Sequence, residues 1–353
     1  MYSKNKNELN NYKHKSPFRG WGYSMNSFGR IFRVSIFGES HGECVGINID
    51  GCPAGLPLTV DDFTEDIDRR KAGAKGTTPR KETDLPRIMN GVYNGKTTGA
   101  PITIIFDNAN TRSGDYEKQR AVPRPGHADF VASKKFGGFE DYRGGGHFSG
   151  RLTVCLVAAG VIAKKLLKEI KVAATLLEIG GEADIEKGLQ KAIDAKDTIG
   201  GIVECTVTGL PIGLGEPFFD SAESMISHGV FAIPAVRGIE FGTGFAAAKM
   251  FGSNHNDSII DSTGKTVTNH AGGIVGGITN SNDIVFRIAI KPTSSTPKIQ
   301  HTLNVETGET EDFSVKGRHD LCIALRVPVV LEAVTAFVLA DLMLVEQTIS
   351  RII

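Results

Sequence analysis

Two apolar segments set what this chain can become. One helix is expected from about Arg151 to Lys168, capped by Ser149 and apolar nearly all round in its first half. A second is expected over 329–348, with Pro328 at its first position, where no N–H is needed. A helix with no polar face must lie at the centre of a fold or in a bilayer. The run Leu152 to Ala163 is too short to span, and the run Val329 to Val345 is broken by Glu332 and Asp341. Both therefore read as buried helices, about 180 residues apart in one chain.

Around them the pattern is of clustered strands rather than a regular β-α alternation. Strands are expected at Ile31 to Ile36, Val45 to Ile49, 101–106, 201–208, 236–241, 284–290 and 321–327. Short helices are expected at about 60–70, 221–229 and 243–250, the first opened by Thr59, Asp61 and Asp62. The fold class implied is α+β, with long helices buried between sheets. No proline-rich linker and no repeat divides the chain, so 25–353 reads as one domain. Residues 1–24 are Asn/Lys-rich and lack the apolar stretch of a secretory signal. They read as a disordered leader, or as a translated upstream segment ahead of a start at Met25.

Glycine is in excess, 42 residues in 353, and comes in bursts between apolar runs, which marks tight turns and close backbone approaches. Forty basic side chains balance forty acidic ones, which argues against a general nucleic-acid or membrane-surface binder. Any anion site must therefore be local. The five cysteines show no CxxC pair and read as reduced, buried thiols, neither a disulfide framework nor a zinc site. No metal is expected.

Residues 107–147 carry no periodic element, yet hold Arg112, Arg120, Arg124, His127, Asp129, Arg143 and His147 among several aromatics. Such a stretch in a compact domain is functional or disordered, and the aromatics favour order. His41, in Gly-Glu-Ser-His-Gly, and His127, in Arg-Pro-Gly-His-Ala-Asp, sit beside glycines that let a substrate approach. Imidazole suits proton transfer near neutrality. Arg69, Arg70, Arg80, Lys81, Arg112, Arg124, Arg143, Arg151 and Arg318 lie at element ends or in loops. There a guanidinium fork can hold carboxylate or phosphate, although a solvated face is the ordinary reading of such charges. The Arg143 to Gly150 loop opens a helix without being a Walker loop, the 269–277 loop lacks dinucleotide spacing, and Lys291 to Ser295 offers a cation and three hydroxyls.

Taken together these segments resemble the chorismate synthase family. The matching blocks are FGRIFRVSIFGESHG from Phe28 to Gly42, DIDRR from Asp66 to Arg70, RPGHAD from Arg124 to Asp129, DYRGGG from Asp141 to Gly146, NHAGGIVGG from Asn269 to Gly277, KPTSS from Lys291 to Ser295, and GRHD from Gly317 to Asp320. They stand in the family's order from Phe28 towards the C-terminal helix. The resemblance implies a phosphate lyase that converts 5-enolpyruvylshikimate 3-phosphate to chorismate by 1,4-anti elimination. This is the last common step of the shikimate pathway to the aromatic amino acids. It implies a need for reduced FMN without net redox change, and a cytoplasmic homotetramer. The fold it implies is a layer of long helices sandwiched between antiparallel sheets.

By motif, the resemblance makes His41 a proton donor to reduced flavin, His127 an acid beside the departing phosphate, and Asp320 a support for proton removal. FMN is expected to meet His147, Phe148, Ser149, Gly276, Lys291, Pro292, Thr293, Ser294, Ser295 and Arg318. Arg70 belongs to the anion clamp and to the family's nucleotide contacts, with Arg80, Arg124 and Arg143 as further substrate contacts. Many members carry Arg-Ser-Ser where this chain has His147-Phe148-Ser149, and Lys75 stands where others have arginine. A flavin-binding protein without the elimination would not need the histidine and arginine blocks. A flavin reductase would need NADPH, and no dinucleotide fingerprint is present. NADPH is expected only as an indirect reductant, used by the chain itself or by a separate flavin reductase.

Overall fold

The computed structural model describes residues 26–78, 83–109, 120–315 and 319–348. The leader therefore lies outside the described residues. Strands β1 (Ser27–Phe28), β2 (Arg33–Gly38), β3 (Cys44–Asp50), β4 (Arg87–Asn90) and β7 (Ile102–Asp107) form one antiparallel sheet in the order β1-β2-β3-β7-β4. A small hairpin of β5 (Val92–Tyr93) and β6 (Lys96–Thr97) lies between β4 and β7 in the chain. Alternation sends Val34, Ile47, Ile49, Ile102, Ile104 and Phe106 to the buried face.

The second sheet is also antiparallel, in the order β10-β13-β9-β8, from β8 (Lys171–Ile179), β9 (Gly201–Thr208), β10 (Val236–Phe241) and β13 (Ile284–Ile290). Here Val203, Cys205 and Val207 face the core opposite Ile284, Phe286 and Ile288. Two hairpins stand apart, β11 (Ile274–Val275) with β12 (Ile278–Thr279), and β14 (Gln300–Leu303) with β15 (Thr310–Phe313).

Among the helices, α1 (Thr64–Arg70), α2 (Asp129–Phe136), α3 (Thr153–Leu167), α4 (Ile185–Ala195), α5 (Ala222–Val230), the single-turn α6 (Gly252–His255) and α7 (Val327–Thr348), the two expected to be central are so. Helix α3 packs on α7 and touches β3 and β7, while α7 packs on β8 and β9. By length and composition α7 is long enough to cross a membrane, yet 83% of its apolar window is buried within the fold. All five cysteines are free, and burial pushes the Cys155 and Cys205 thiols up to about 12.

The acids that interrupt α7 each have a structural use. Asp341 accepts backbone N–H groups of Arg30, Ile31 and Phe32 at 2.7–3.0 Å. Glu332 accepts from both terminal nitrogens of Arg69 at 2.7 Å, from Lys164 Nζ at 3.0 Å and from the Ala174 N–H at 3.1 Å. Burial alone would raise the Glu332 carboxyl, but these donors outweigh it and hold it below its ordinary value.

Two expectations fail. Residues 321–327 are not a strand: a 3-10 turn, Ile323–Arg326, runs straight into α7, which begins one residue before Pro328. The stretch 107–147 contains α2, whose one buried residue is Ala132, so it has no apolar stripe to betray it. The short helix expected at 243–250 is present, as a 3-10 helix over Gly244–Lys249. The strand β8 and the helix α4 were not anticipated.

Helices α3 and α7 are in close contact at Gly160, where a Cβ would lie 2.2 Å from Ala333 Cβ. Gly160→Ala must push the helices apart, and is expected to cost about 2–3 kcal/mol in urea denaturation. An unchanged denaturation midpoint would show that this crossing does not limit the core.

Candidate functional site

The ends of several elements converge on a cleft of about 560 Å³. Arg70 arrives from the last turn of α1, Ser149 and Thr153 from the start of α3, Lys291 to Ser295 from the end of β13, and Asp320 and Arg326 from the turn before α7. A smaller cavity of about 190 Å³ shares Arg70, Arg124, Ser149, Thr293, Asp320 and Arg326 with it. A third, of about 250 Å³, lies against His127 and Phe148.

Arg70 is buried, and each nitrogen of its guanidinium has an acceptor. Nε donates to Thr153 Oγ1 at 2.9 Å, Nη1 to Asp84 Oδ2 at 3.2 Å, and Nη2 to the carbonyls of Gly150 and Arg151. Burial, then the cations Arg326 and Arg151, push it down to about 9, against the pull of Asp84. It stays charged at neutral pH and gains from an anion nearby. Asp84 also pairs with Arg151, whose Nε donates to Asn108 Oδ1 at 3.0 Å. Arg326 donates from Nε to the Arg70 carbonyl at 3.0 Å and from Nη1 to Asp320 Oδ2 at 3.3 Å. The other Asp320 oxygen accepts the Thr78 N–H at 2.7 Å.

Behind Arg124, which lines the cleft and the smaller cavity, Asp129 binds it at two points, 2.7 Å from Nε and 2.8 Å from Nη2, and lies 2.6 Å from His127 Nδ1. Nδ1 also lies 3.0 Å from Arg124 Nη2, which can only donate. The shorter carboxylate contact assigns the Nδ1 proton to Asp129, leaving His127 Nε2 for a ligand. Burial would raise the Asp129 carboxyl, but Arg124 and His127 hold it far below the carboxylate range. Lys291 Nζ donates to the Gly126 carbonyl at 2.9 Å and lies 2.6 Å from Ser294 Oγ, while Arg124 Nη1 donates to Ser295 Oγ at 3.3 Å. Burial, then Arg237, lowers the Lys291 ammonium. Apart from Lys71, which lines the smaller cavity but pairs with Asp68 at 2.7 Å, five cations (Arg70, Arg124, Arg151, Lys291, Arg326) stand against three carboxylates (Asp84, Asp129, Asp320), which leaves two positive charges for a ligand.

His41 is 6% exposed, with Nδ1 3.0 Å from Ser40 Oγ, and does not itself line the cleft. It lies against Gly144, which does. A Cβ there would fall 2.2 Å from the imidazole, and the backbone φ is +60°, so only glycine fits. His147 lines the cleft and donates from Nδ1 to the Gly38 carbonyl at 2.8 Å, with the half-exposed ring of Phe148 beside it. Lys291, Thr293, Ser294 and Ser295 line the cleft, while Pro292 between them does not. Arg143 pairs with Asp141 at 2.8 Å and is not brought to the cleft. Gly276, in the β11–β12 turn, does not line it either. Arg80 and Arg318 lie outside the described residues. Sequence reasoning missed Asp84 and Arg326, the first lone in a polar loop, the second hidden in the supposed strand.

Comparison with known proteins gives a consistent result. The chorismate synthase family model matches residues 32–344. A chorismate synthase of Chitinophaga pinensis is 72% identical over 329 residues, covering 93% of this chain and 99% of that protein. One of Dehalococcoides mccartyi is 44% identical over 360 residues, covering 93% and 99%. A solved crystal structure of a chorismate synthase superposes with TM-score 0.70 at 26% identity, over 90% of this chain and 93% of that one.

Because Asp129 ionises more readily folded than unfolded, its stabilising effect is complete above the unfolded value of about 4 and fades as pH falls towards the lower folded value. Asp129→Asn is expected to cost about 3 kcal/mol at pH 7. It should also flatten the loss of stability between pH 5 and about 2.5 in urea denaturation. A variant that acid-destabilises as steeply as wild type would show that this carboxylate is not what the acid removes.

Proposed function

The chain belongs to the chorismate synthase family, and from that premise we propose that it converts 5-enolpyruvylshikimate 3-phosphate to chorismate and inorganic phosphate. This is a 1,4-anti elimination, catalysed by a phosphate lyase, at the last common step of the shikimate pathway to the aromatic amino acids. The observation that carries the reading is a cleft with more cations than carboxylates, facing a substrate that bears a phosphate and two carboxylates. On this reading Arg70 and Arg124 face the anions, with Arg80 and Arg143 as further proposed substrate contacts, and the departing phosphate gains positive charge fixed before the reaction starts. His127, its Nδ1 tied to Asp129, presents Nε2 as the acid beside the leaving group. Asp320 is the carboxylate on the cleft wall that supports removal of the ring proton.

The residues present also fit reduced FMN. Thr293 Oγ1 is buried without a partner on the cleft wall, and Lys291 and Ser294 beside it suit a phosphate. Phe148, Ser149 and Ser295 complete an apolar and hydroxyl surface for such a group, with Arg318 and Gly276 as further proposed contacts. Reduced FMN held by these residues would supply electron density for C–O cleavage without net redox change. His41, behind Gly144, is the proposed proton donor on that side. NADPH enters as an indirect reductant, used by the chain itself or by a separate flavin reductase. The proposed fold is a helix layer between the two antiparallel sheets, in a cytoplasmic homotetramer. Phe218, Phe219, Phe245 and Phe251 support the assembly, being 80–92% exposed in the single chain.

An anaerobic assay with reduced FMN and the enolpyruvyl substrate tests the reading. Chorismate and phosphate should form in equal amounts, with no reaction when oxidised FMN replaces reduced. Failure to form chorismate in a folded, flavin-loaded protein would sink it. In the same assay His127→Ala should lower turnover by roughly 10²–10⁴-fold with FMN affinity little changed. Near-normal turnover would remove His127 from the mechanism.

A further inference from the structure

The arginines around the cleft are not equally committed. Arg70, Arg124 and Arg151 each have an acceptor at every guanidinium nitrogen. Arg326 does not. Its Nε and Nη1 are fixed by the Arg70 carbonyl and Asp320, and its Nη2 has no acceptor among the described residues. Arg326 lines both the large cleft and the 190 Å³ cavity beyond it. Thr293 lines the same two spaces, and its Oγ1 is buried without a hydrogen-bond partner. A buried unpaired hydroxyl is uncommon and costs free energy unless something satisfies it.

We infer that Arg326 is a ligand-binding residue, and that its free Nη2 and the Thr293 hydroxyl form an oxyanion subsite where the two cavities join. The occupant is a phosphate or carboxylate oxygen, for which a guanidinium held at two of its nitrogens is already oriented. The anion would relieve the repulsion between Arg326 and the buried Arg70. The same guanidinium ties Asp320 to the backbone of Arg70, so filling the subsite is felt by the proposed base. The inference deepens the proposed function and rests on it for the identity of the oxyanion, which the substrate or the FMN phosphate can supply.

Titration of inorganic phosphate into the full chain by calorimetry at low ionic strength tests the subsite without any catalysis. Arg326→Gln should weaken phosphate binding by at least about tenfold, the scale of one charge-assisted hydrogen bond. Thr293→Val should weaken it several-fold, and Arg326→Lys should fall between wild type and glutamine. Competition then identifies the source: displacement by the enolpyruvyl substrate assigns the subsite to substrate, and displacement by FMN assigns it to the cofactor. Either result supports the inference, while displacement by neither overturns it. Wild-type phosphate affinity in Arg326→Gln also overturns it. If that variant fails to fold, Thr293→Val decides alone, since it removes one hydroxyl and keeps the shape, and an unchanged affinity rejects the subsite. A chain that binds phosphate through Arg326 yet makes no chorismate would refute the proposed reaction and leave the subsite standing.

Discussion

The ion pairs of Glu332 set the geometry on which everything else depends. Its carboxylate, 4% exposed in the second turn of the long apolar helix α7, is gripped by Arg69 from α1, Lys164 from α3 and the Ala174 N–H from β8. Such a cluster adds little net stability, because desolvating the charges offsets most of their attraction. What it adds is register. An apolar helix packed on apolar neighbours has several rotations of similar energy, and only one brings Glu332 to all three partners at once. Asp341, nine residues on, fixes the same rotation by accepting the backbone N–H groups at 30–32.

That rotation reaches the cleft through the chain. Arg69 and Arg70 are neighbours on α1, so anchoring the first on Glu332 turns the second towards Thr153 and Asp84. At the other end of α7, the turn Ile323–Arg326 leads directly into the helix, so the position of Arg326 is set by the same docking. Gly160 lets α3 approach α7 closely enough for the starts of both helices to border one space. The positive ends of their backbone dipoles then add to the side-chain cations.

Legibility in the sequence followed how local each signal was. The helices α3 and α7 and the strands β9 and β13 were readable because their apolar pattern is carried within the segment. Helix α2 was not, since it buries only Ala132. Leu321 to Val327 imitates a strand because its residues are branched and apolar, and only the tertiary contacts of α7 turn it into helix. The error hid Arg326. His127, Arg124 and Lys291 were readable from glycine- and proline-flanked motifs and Arg70 from its place in the last turn of a helix, and the cleft brings them together. Asp84 was not, because a lone aspartate acquires meaning only when Arg70 and Arg151, distant in sequence, close on it. Arg143 shows the converse: its motif placed it in the site, but Asp141, two residues earlier, holds it at the surface.

The balance of forty positive and forty negative side chains concealed a local division of labour. Asp129 offsets Arg124 almost completely by a two-point contact and at the same time accepts the hydrogen bond of His127 Nδ1–H. That pair is therefore rigid and nearly neutral, and with His127 it is suited to hold a proton at a defined nitrogen. The other cations are held differently. Arg70, Arg151 and Arg326 share only two carboxylates, Asp84 and Asp320, and burial denies water to Arg70 and Arg151 as a substitute. Their mutual repulsion is a free-energy cost built into the folded state, and an arriving anion removes it without any side chain having to reorganise. Attraction for anions thus belongs to Lys291 and to the Arg70, Arg151 and Arg326 cluster, each one carboxylate short, and control of the proton to Arg124, Asp129 and His127. One cleft can carry both because Asp129 is reserved for Arg124 and His127.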